Sequence, residues 1–166
     1  MTGRWRVGLG YDIHPLVEGR QLVLGGIAIA YERGLAGHSD ADVLIHSLCD
    51  ALLGAAALGD LGRHFPDTDP RYKDISSGEL LRSVAAMVGQ RGFRIENVDA
   101  TIVAEEPRLA PFIEAMRNHL AEILNLAPEQ ISIKAKTHEG LDAVGRGDAI
   151  AAYAVCLLEH VGGGTL

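Results

Sequence analysis

The sequence predicts one α/β (α+β) domain over residues 1–166, a mixed β-sheet covered by helices. Three observations predict it. Stretches of period-two alternation interleave irregularly with stretches of helical period, which places strands and helices around a shared core. No linker and no repeat divides the chain. At 166 residues, with 48% hydrophobic and 22% charged residues, the chain suffices for one sizeable core.

The elements follow in order. RWRVGLGYDIH reads as a strand ending near Pro15. RQLVLGGIAIAYERG reads as two short strands broken at Gly25-Gly26, a hairpin or bend. The clearest helix begins at Ser39, an N-cap with Asp42 three residues on, and stops near Gly59. HFPDTDPRYKD, with two prolines, reads as an irregular polar loop. SSGELLRSVAAMVGQRG is a second helix closing near Gly92, and FRIENVDATIVAEE returns to strand. LAPFIEAMRNHLAEILN is a third helix, QISIKAKT a strand, and HEGLDAVGRGD a glycine-rich loop. AIAAYAVCLLEHV fits a helix or a buried strand, and strand is the reading taken. Residues 1–4 and 161–166 are expected to be flexible ends.

The net charge of -7 argues against general binding to nucleic acid or to an anionic membrane. Cys49 and Cys156 lie in apolar runs and read as buried thiols of a reducing compartment. No apolar leader opens the chain and no run of about 18 apolar residues spans a membrane. The expectation is a soluble, cytoplasmic protein. Neither common nucleotide fingerprint, G-x-G-x-x-G nor the P-loop, opens a helix after a strand.

Chemistry concentrates in a few places. Asp12 and His14 stand two apart in a strand and so share a face. They read either as metal ligands or as a surface pair at a strand end. Asp42, His46 and Asp50 stack on one face of the first helix, as a solvated stripe or as the wall of a site. Together Asp12, His14 and His46 suit Zn²⁺ with a fourth position open. GHSD at the helix start reads as a phosphate seat or a plain cap. Asp67 and Asp69 stand in a turn-like loop, and Lys134, Lys136 and Thr137 at a strand end that lysines also keep soluble.

These segments, in this order, resemble the 2-C-methyl-D-erythritol 2,4-cyclodiphosphate synthase family. The likeness runs from VGLGYDIHPL through GLAGHSDADVLIHSLCDALLGAAALGDLGRHFPDTDP, NVDATIVAEEPRL and KAKTHEGL to GRGDAIAAYAVCLL. The resemblance implies a homotrimer with active sites between subunits, metal ligands on one and a nucleotide pocket on its neighbour. It implies Asp12, His14 and His46 as metal ligands, with His38 and Ser39 on the phosphate side. Asp60, Leu61 and Gly62, then Phe65, Pro66, Asp67, Thr68 and Asp69, match the loops that hold the sugar alcohol. Ala104, Glu105, Glu106, Pro107, Arg108, Leu109 and Ala110 match the cytosine pocket. Lys136, Thr137, His138 and Glu139 match the diphosphate and ribose contacts, Thr137 near the reacting phosphates.

Two departures stand out. KTHE replaces the run of threonines before Glu found in many members, and Ala143-Val144 replaces an aromatic-Thr pair ahead of G-R-G. That region, with Ala143 and Arg146, is implied to line the trimer axis, where some members hold an isoprenoid diphosphate; with the aromatic missing, the resemblance leaves that accessory site open here. The implied reaction is intramolecular: a substrate monophosphate attacks the β-phosphorus of a cytidine diphosphate, CMP leaves, and a cyclic diphosphate remains. Zn²⁺ would hold the β-phosphate, Mg²⁺ or Mn²⁺ would bridge the diphosphate, and His38 and Thr137 would stabilise the transition state. A zinc phosphohydrolase and a non-catalytic metal-binding trimer subunit are the rival readings.

Overall fold

The computed structural model describes residues 4–161. In chain order its elements are β1 (Trp5–Glu18), β2 (Leu22–Leu24), β3 (Ile27–Ile29), β4 (Arg33–Leu35), α1 (Val43–Ala55) and the single turn α2 (Leu61–His64). Then come α3 (Ser77–Gln90), β5 (Phe93–Val103), α4 (Ile113–Leu124), β6 (Ile131–Lys136), the single turn α5 (Asp142–Gly145) and β7 (Ala149–His160). Five strands form one sheet in the order β4-β1-β7-β5-β6, in which only β5 and β6 pair in parallel; β2 and β3 form a separate hairpin. The sheet is mixed, as expected.

Several boundaries differ from the sequence reading. β1 does not end at Pro15 but changes partner there: Trp5 to Pro15 pair with β7, Leu16 to Glu18 with β4. Pro15 lacks an N–H, yet its carbonyl still accepts from Ala36 N at 2.9 Å, so the missing donor falls where one ladder gives way to the next. α1 begins at Val43, not at Ser39. Asp42, fully buried, is its N-cap and accepts from Ile45 N. α1 ends at Ala55, short of Gly59. The polar loop contains a 3₁₀ turn at Pro70–Tyr72, and the glycine-rich loop contains α5. Asp69 caps the former and Asp142 stands in the latter, short-range bonds that composition alone does not reveal.

β7 is a strand throughout and the central one, with eleven of its twelve residues matched to β1 and ten to β5. Gly25 and Gly26, at φ of 57° and 75°, make the hairpin turn that joins β2 to β3. Both cysteines are buried and free. Among the expected loose ends, residues 1–3 and 162–166 lie outside the described residues. Arg4 accepts from His160 N at 2.7 Å, and Val161 N donates to Gly92 O at 2.8 Å.

The helices form one layer on one face. α1 lies on β1 and β7, α3 on β5, α4 on β6, and α3 touches both neighbours. The opposite face stays open: Trp5, Val7, Leu9, Tyr11 and Ile13 of β1 and Tyr153 and Val155 of β7 are 40–68% exposed.

α1 is apolar nearly all round. Val43, Leu44, Ile45, Leu48, Leu52 and Leu53 are fully buried, each contributing roughly 2 kcal/mol of gross apolar burial. It sits directly on β1 at Gly8 and Gly10. A Cβ at Gly10 would stand 1.8 Å from Ser47 O, and one at Gly8 equally close to Ala51 O. Neither obstacle is a flexible side chain. Gly10→Ala therefore has to lift α1 off the strand and should cost about 3 kcal/mol or more of stability, read from urea denaturation of the metal-free protein. A loss under about 1 kcal/mol would mean that the helix does not rest on this glycine.

Candidate metal centre and substrate cleft

Asp12 and His14 continue the face of β1 that carries Gly8 and Gly10, so both point toward the layer holding α1. On α1, the only residues not buried are His46, Asp50 and Gly54, one every four positions. The stripe is thus a wall of the site, except that its first expected member, Asp42, turns inward as the cap. Asp42 accepts from Gly26 N at 2.7 Å and from Ile45 N at 3.1 Å, and burial pushes its carboxyl up to about 6.

The strand pair and the helix meet at one point. Asp12 Oδ2 lies 3.1 Å from His14 Nε2 and 3.0 Å from His46 Nδ1. One ligand atom from each of the three residues lies within 4.8 Å of the others. His14 Nδ1 donates to Ala36 O at 2.6 Å, which fixes its proton there and turns Nε2 toward the centre. His46 Nε2 faces away, toward Ser39 Oγ at 3.1 Å and Ser77 Oγ at 2.9 Å. A carboxylate and two oriented imidazoles on one side, with a cleft on the other, fit a metal ion with an open coordination position. Burial opposes charge on Asp12, but the hydrogen bonds from His14 and His46 outweigh it and hold the carboxyl well below its usual range. The same Asp12 bond raises His14 above the ordinary imidazole value.

The cleft above the centre has a volume of about 580 Å³. Of the residues expected on the substrate side, His38, Ser39, Leu61, Gly62, Phe65, Pro66 and Asp67 line it. His38 Nε2 is buried there without a partner among the described residues. Asp60, Thr68 and Asp69 stand outside the lining: Asp60 caps α2 through Arg63 N, and Asp69 pairs with Arg71. Gly37, of the GHSD segment, and Asp50 also line the cleft, as do Tyr72, Ile75 and Leu80, which were not foreseen. Asp50 carried a signal in the helical stripe. It accepts from Leu61 N at 2.7 Å, which ties the start of α2 to α1, and burial raises its carboxyl.

A second pocket, of about 600 Å³, gathers Ala104, Glu105, Glu106, Pro107, Arg108, Leu109 and Ala110 with Lys136 and Thr137. Tyr31 and Ala135 join them, and no motif singled these two out. His138 and Glu139 fall outside the lining. Glu105 Oε1 accepts from the backbone of His138 at 2.7 Å and Gly140 at 3.3 Å, and Thr137 Oγ1 donates to Glu139 at 2.9 Å. Lys134 pairs with Asp99 across the strands. Ala143 borders a smaller hollow beside Tyr11, Ile13 and Tyr153, and Arg146 pairs with Asp148.

The cleft and the second pocket share no residue. His14 aligns with Ile150, the next residue Ala151 with Val103, and Val103 with Lys136. Two strands thus separate β1 from β6, a span of roughly 14 Å at the usual strand spacing.

Residues 5–159 match the model of the YgbB family. The 2-C-methyl-D-erythritol 2,4-cyclodiphosphate synthase of Nitrosospira multiformis is 56% identical over 161 residues, 97% of this chain and 91% of the relative. A solved structure of a 2C-methyl-D-erythritol-2,4-cyclodiphosphate synthase, in a bound form with CDP, superposes with a TM-score of 0.86 at 39% identity. It covers 93% of this chain and 100% of the other. The bifunctional IspDF from Campylobacter jejuni superposes with a TM-score of 0.91 at 41% identity over 94% of this chain, which spans 42% of that longer protein.

The Asp12–His14 pair makes stability depend on pH in a defined direction. His14 has a raised folded pKa, so its contribution is complete below its unfolded value of about 6.5 and is lost as pH rises through the folded value. Asp12 has a lowered folded pKa, so its contribution is present above about 3.9 and is lost only as pH falls toward the folded value. The metal-free protein should melt about 3 °C lower at pH 9 than at pH 6, relative to a His14→Gln reference. A bound divalent metal, which displaces the His14 proton, should abolish that difference. Parallel melts with and without chelator check this, and identical pH profiles for the protein and the His14→Gln reference would refute it.

Proposed function

The chain belongs to the YgbB family, and we propose that it acts as a 2-C-methyl-D-erythritol 2,4-cyclodiphosphate synthase. It converts 4-diphosphocytidyl-2-C-methyl-D-erythritol 2-phosphate to the 2,4-cyclodiphosphate and CMP, in the cytoplasmic, non-mevalonate supply of isoprenoid precursors. The observation that carries this reading is the convergence of Asp12, His14 and His46 beneath a cleft walled by His38, Ser39 and the Leu61–Asp67 segment. Two nitrogens and one oxygen suit Zn²⁺; the second ion, on the substrate diphosphate, is Mg²⁺ or Mn²⁺. When bound, these ions neutralise and polarise the phosphates.

The chain's own groups then position two anions that repel each other. His38, with an unpartnered buried Nε2, and Ser39 donate to phosphate oxygens. Loops 60–62 and 65–69 hold the sugar-alcohol hydroxyls. The pocket of residues 104–110 takes the cytosine, and Lys136, Thr137, His138 and Glu139 take the diphosphate and ribose. The monophosphate oxygen attacks the β-phosphorus, the bond to the bridging oxygen breaks, and CMP carries that oxygen away. The nucleophile is already ionised, so no general base is needed; orientation and charge stabilisation supply the rate.

The active unit is a homotrimer. Its support is the open apolar face of β1 and β7 and the roughly 14 Å of sheet between His14 and Lys136, which keeps a nucleotide in the second pocket away from the same chain's metal. The metal centre of one copy works with the nucleotide pocket of the next. Ala143 and Arg146 stand at the trimer axis.

An assembly of this kind is tested by complementation. His46→Ala and Thr137→Ala subunits, each inactive alone, should recover a measurable part of wild-type activity when refolded together, because mixed interfaces hold two intact halves. Absence of recovery in verified mixed trimers would put each site within one chain.

Solvent labelling separates cyclisation from hydrolysis. In ¹⁸O-water, mass spectrometry should find no label in CMP or in the cyclic diphosphate, since the attacking oxygen is the substrate's own. Label in either product would support the phosphohydrolase instead.

A further inference from the structure

Behind His46 lies a buried chain of polar groups that the reaction above does not use. His46 Nε2 is 2.9 Å from Ser77 Oγ, and that hydroxyl hydrogen-bonds in turn to Asp40 Oδ1. Ser77 is fully buried, in the first turn of α3. Asp40 Oδ2 accepts from Ser77 N at 3.0 Å, and Asp40 N donates to Ile75 O at 3.2 Å, so the carboxylate is locked in place.

Proton accounting decides the direction of this chain. A serine hydroxyl has one proton to donate, and a carboxylate can only accept. The Ser77 proton therefore goes to Asp40. What Ser77 presents to His46 is a lone pair, and an unprotonated Nε2 at 2.9 Å would face it with another. Nε2 must carry a hydrogen; without metal Nδ1 also donates, to Asp12 Oδ2 at 3.0 Å, and the Nδ1 hydrogen is the one a metal in the seat would displace. Ser39 Oγ, at 3.1 Å from Nε2, accepts from Ala41 N and keeps its own proton for the cleft.

We propose that Asp40 and Ser77 are positioning residues that commit His46 to bind metal through Nδ1. This inference rests on the metal-centre reading of Asp12, His14 and His46, and it adds two residues that contact neither metal nor substrate. It also explains why a serine rather than a more favourable helix former opens α3: the hydroxyl serves the imidazole, while the cap of α3 belongs to Ser76.

Ser77→Ala tests it. The variant keeps the Ser77 backbone bond to Asp40, so α3 stays capped, but His46 loses its acceptor. Zinc affinity, measured by competition with a chromophoric chelator, should fall 10–100-fold. Long-range ¹H–¹⁵N spectra should show His46 protonated at Nε2 and ligated through Nδ1 in the zinc-loaded native protein, and a mixture of the two ligation modes in zinc-loaded Ser77→Ala. Asp40→Asn serves as the second variant. Its single carbonyl oxygen cannot accept both Ser77 bonds, and it should give an intermediate loss of affinity.

Zinc binding within twofold of native in both folded variants, or zinc on Nε2 of His46 in the loaded native protein, would overturn the proposal. Failure of the underlying metal reading looks different: the native protein itself would then bind no zinc.

Discussion

The contact on which the site depends is the seating of α1 on the glycines of β1. Because Gly8 and Gly10 have no Cβ, the carbonyls of Ala51 and Ser47 come down to within bonding radius of where a side chain would begin. At ordinary helix-to-sheet spacing, stacked layers stand about 10 Å apart, and a helix imidazole would meet a strand carboxylate only by full extension. Here the approach is closer, and His46 reaches Asp12 at 3.0 Å while its far edge still meets Ser39 and Ser77. The strand that supplies closeness at residues 8 and 10 supplies ligands at 12 and 14, on the same face. Backbone proximity and metal chemistry are consecutive uses of one alternation.

That geometry concentrates polarity in an apolar element. α1 buries ten residues and leaves His46 and Asp50 as the polar members of its cleft-facing edge. The cost of placing a carboxylate beside them is met locally. Asp12 is held ionised by both imidazoles in spite of its burial, whereas Asp50, with one backbone donor and acidic neighbours, is pushed the other way. Two carboxylates a few residues apart in space thus differ in their readiness to carry charge. The difference makes Asp12, not Asp50, the natural ligand for a cation, and leaves Asp50 to anchor Leu61 at the mouth of the cleft.

How much of this was legible follows from range. Strand alternation in β1, β5, β6 and β7, the glycine hairpin and the three long helices are local patterns, and all were readable. So were Asp12, His14 and His46, since the first two share a strand face and the third stands in an otherwise buried helix. The start of α1 was misread because Ser39 and Asp42 are both good caps by type; the Gly26 donor that selects Asp42 is a tertiary contact. β4 and the passage of β1 beyond Pro15 depend on a change of ladder partner. Tyr31 and Ser77 carry no local signal at all, for a hydroxyl at a helix start reads as a cap and a tyrosine at the end of a short strand reads as surface.

The sheet order has a last consequence. The metal centre is built at one edge, from β1, α1 and the segment after β4, while the second pocket is built where the parallel pair β5 and β6 ends. β7, paired along almost its whole length on both sides, holds those two regions apart rigidly. No hinge within a single five-stranded sheet can bring Thr137 to His46 without breaking either ladder, each of which runs for ten or more residue pairs. Under the proposed reaction the diphosphate must touch both regions at once. On that proposal a second copy completes the chemistry, and the apolar stripe of Trp5, Val7, Leu9, Tyr11 and Ile13 is the surface with most to gain from being covered. One strand thus has two uses, its even-numbered residues turned to the helix and to the Asp12, His14 and His46 cluster and its odd-numbered residues to the open face that the proposed assembly would cover.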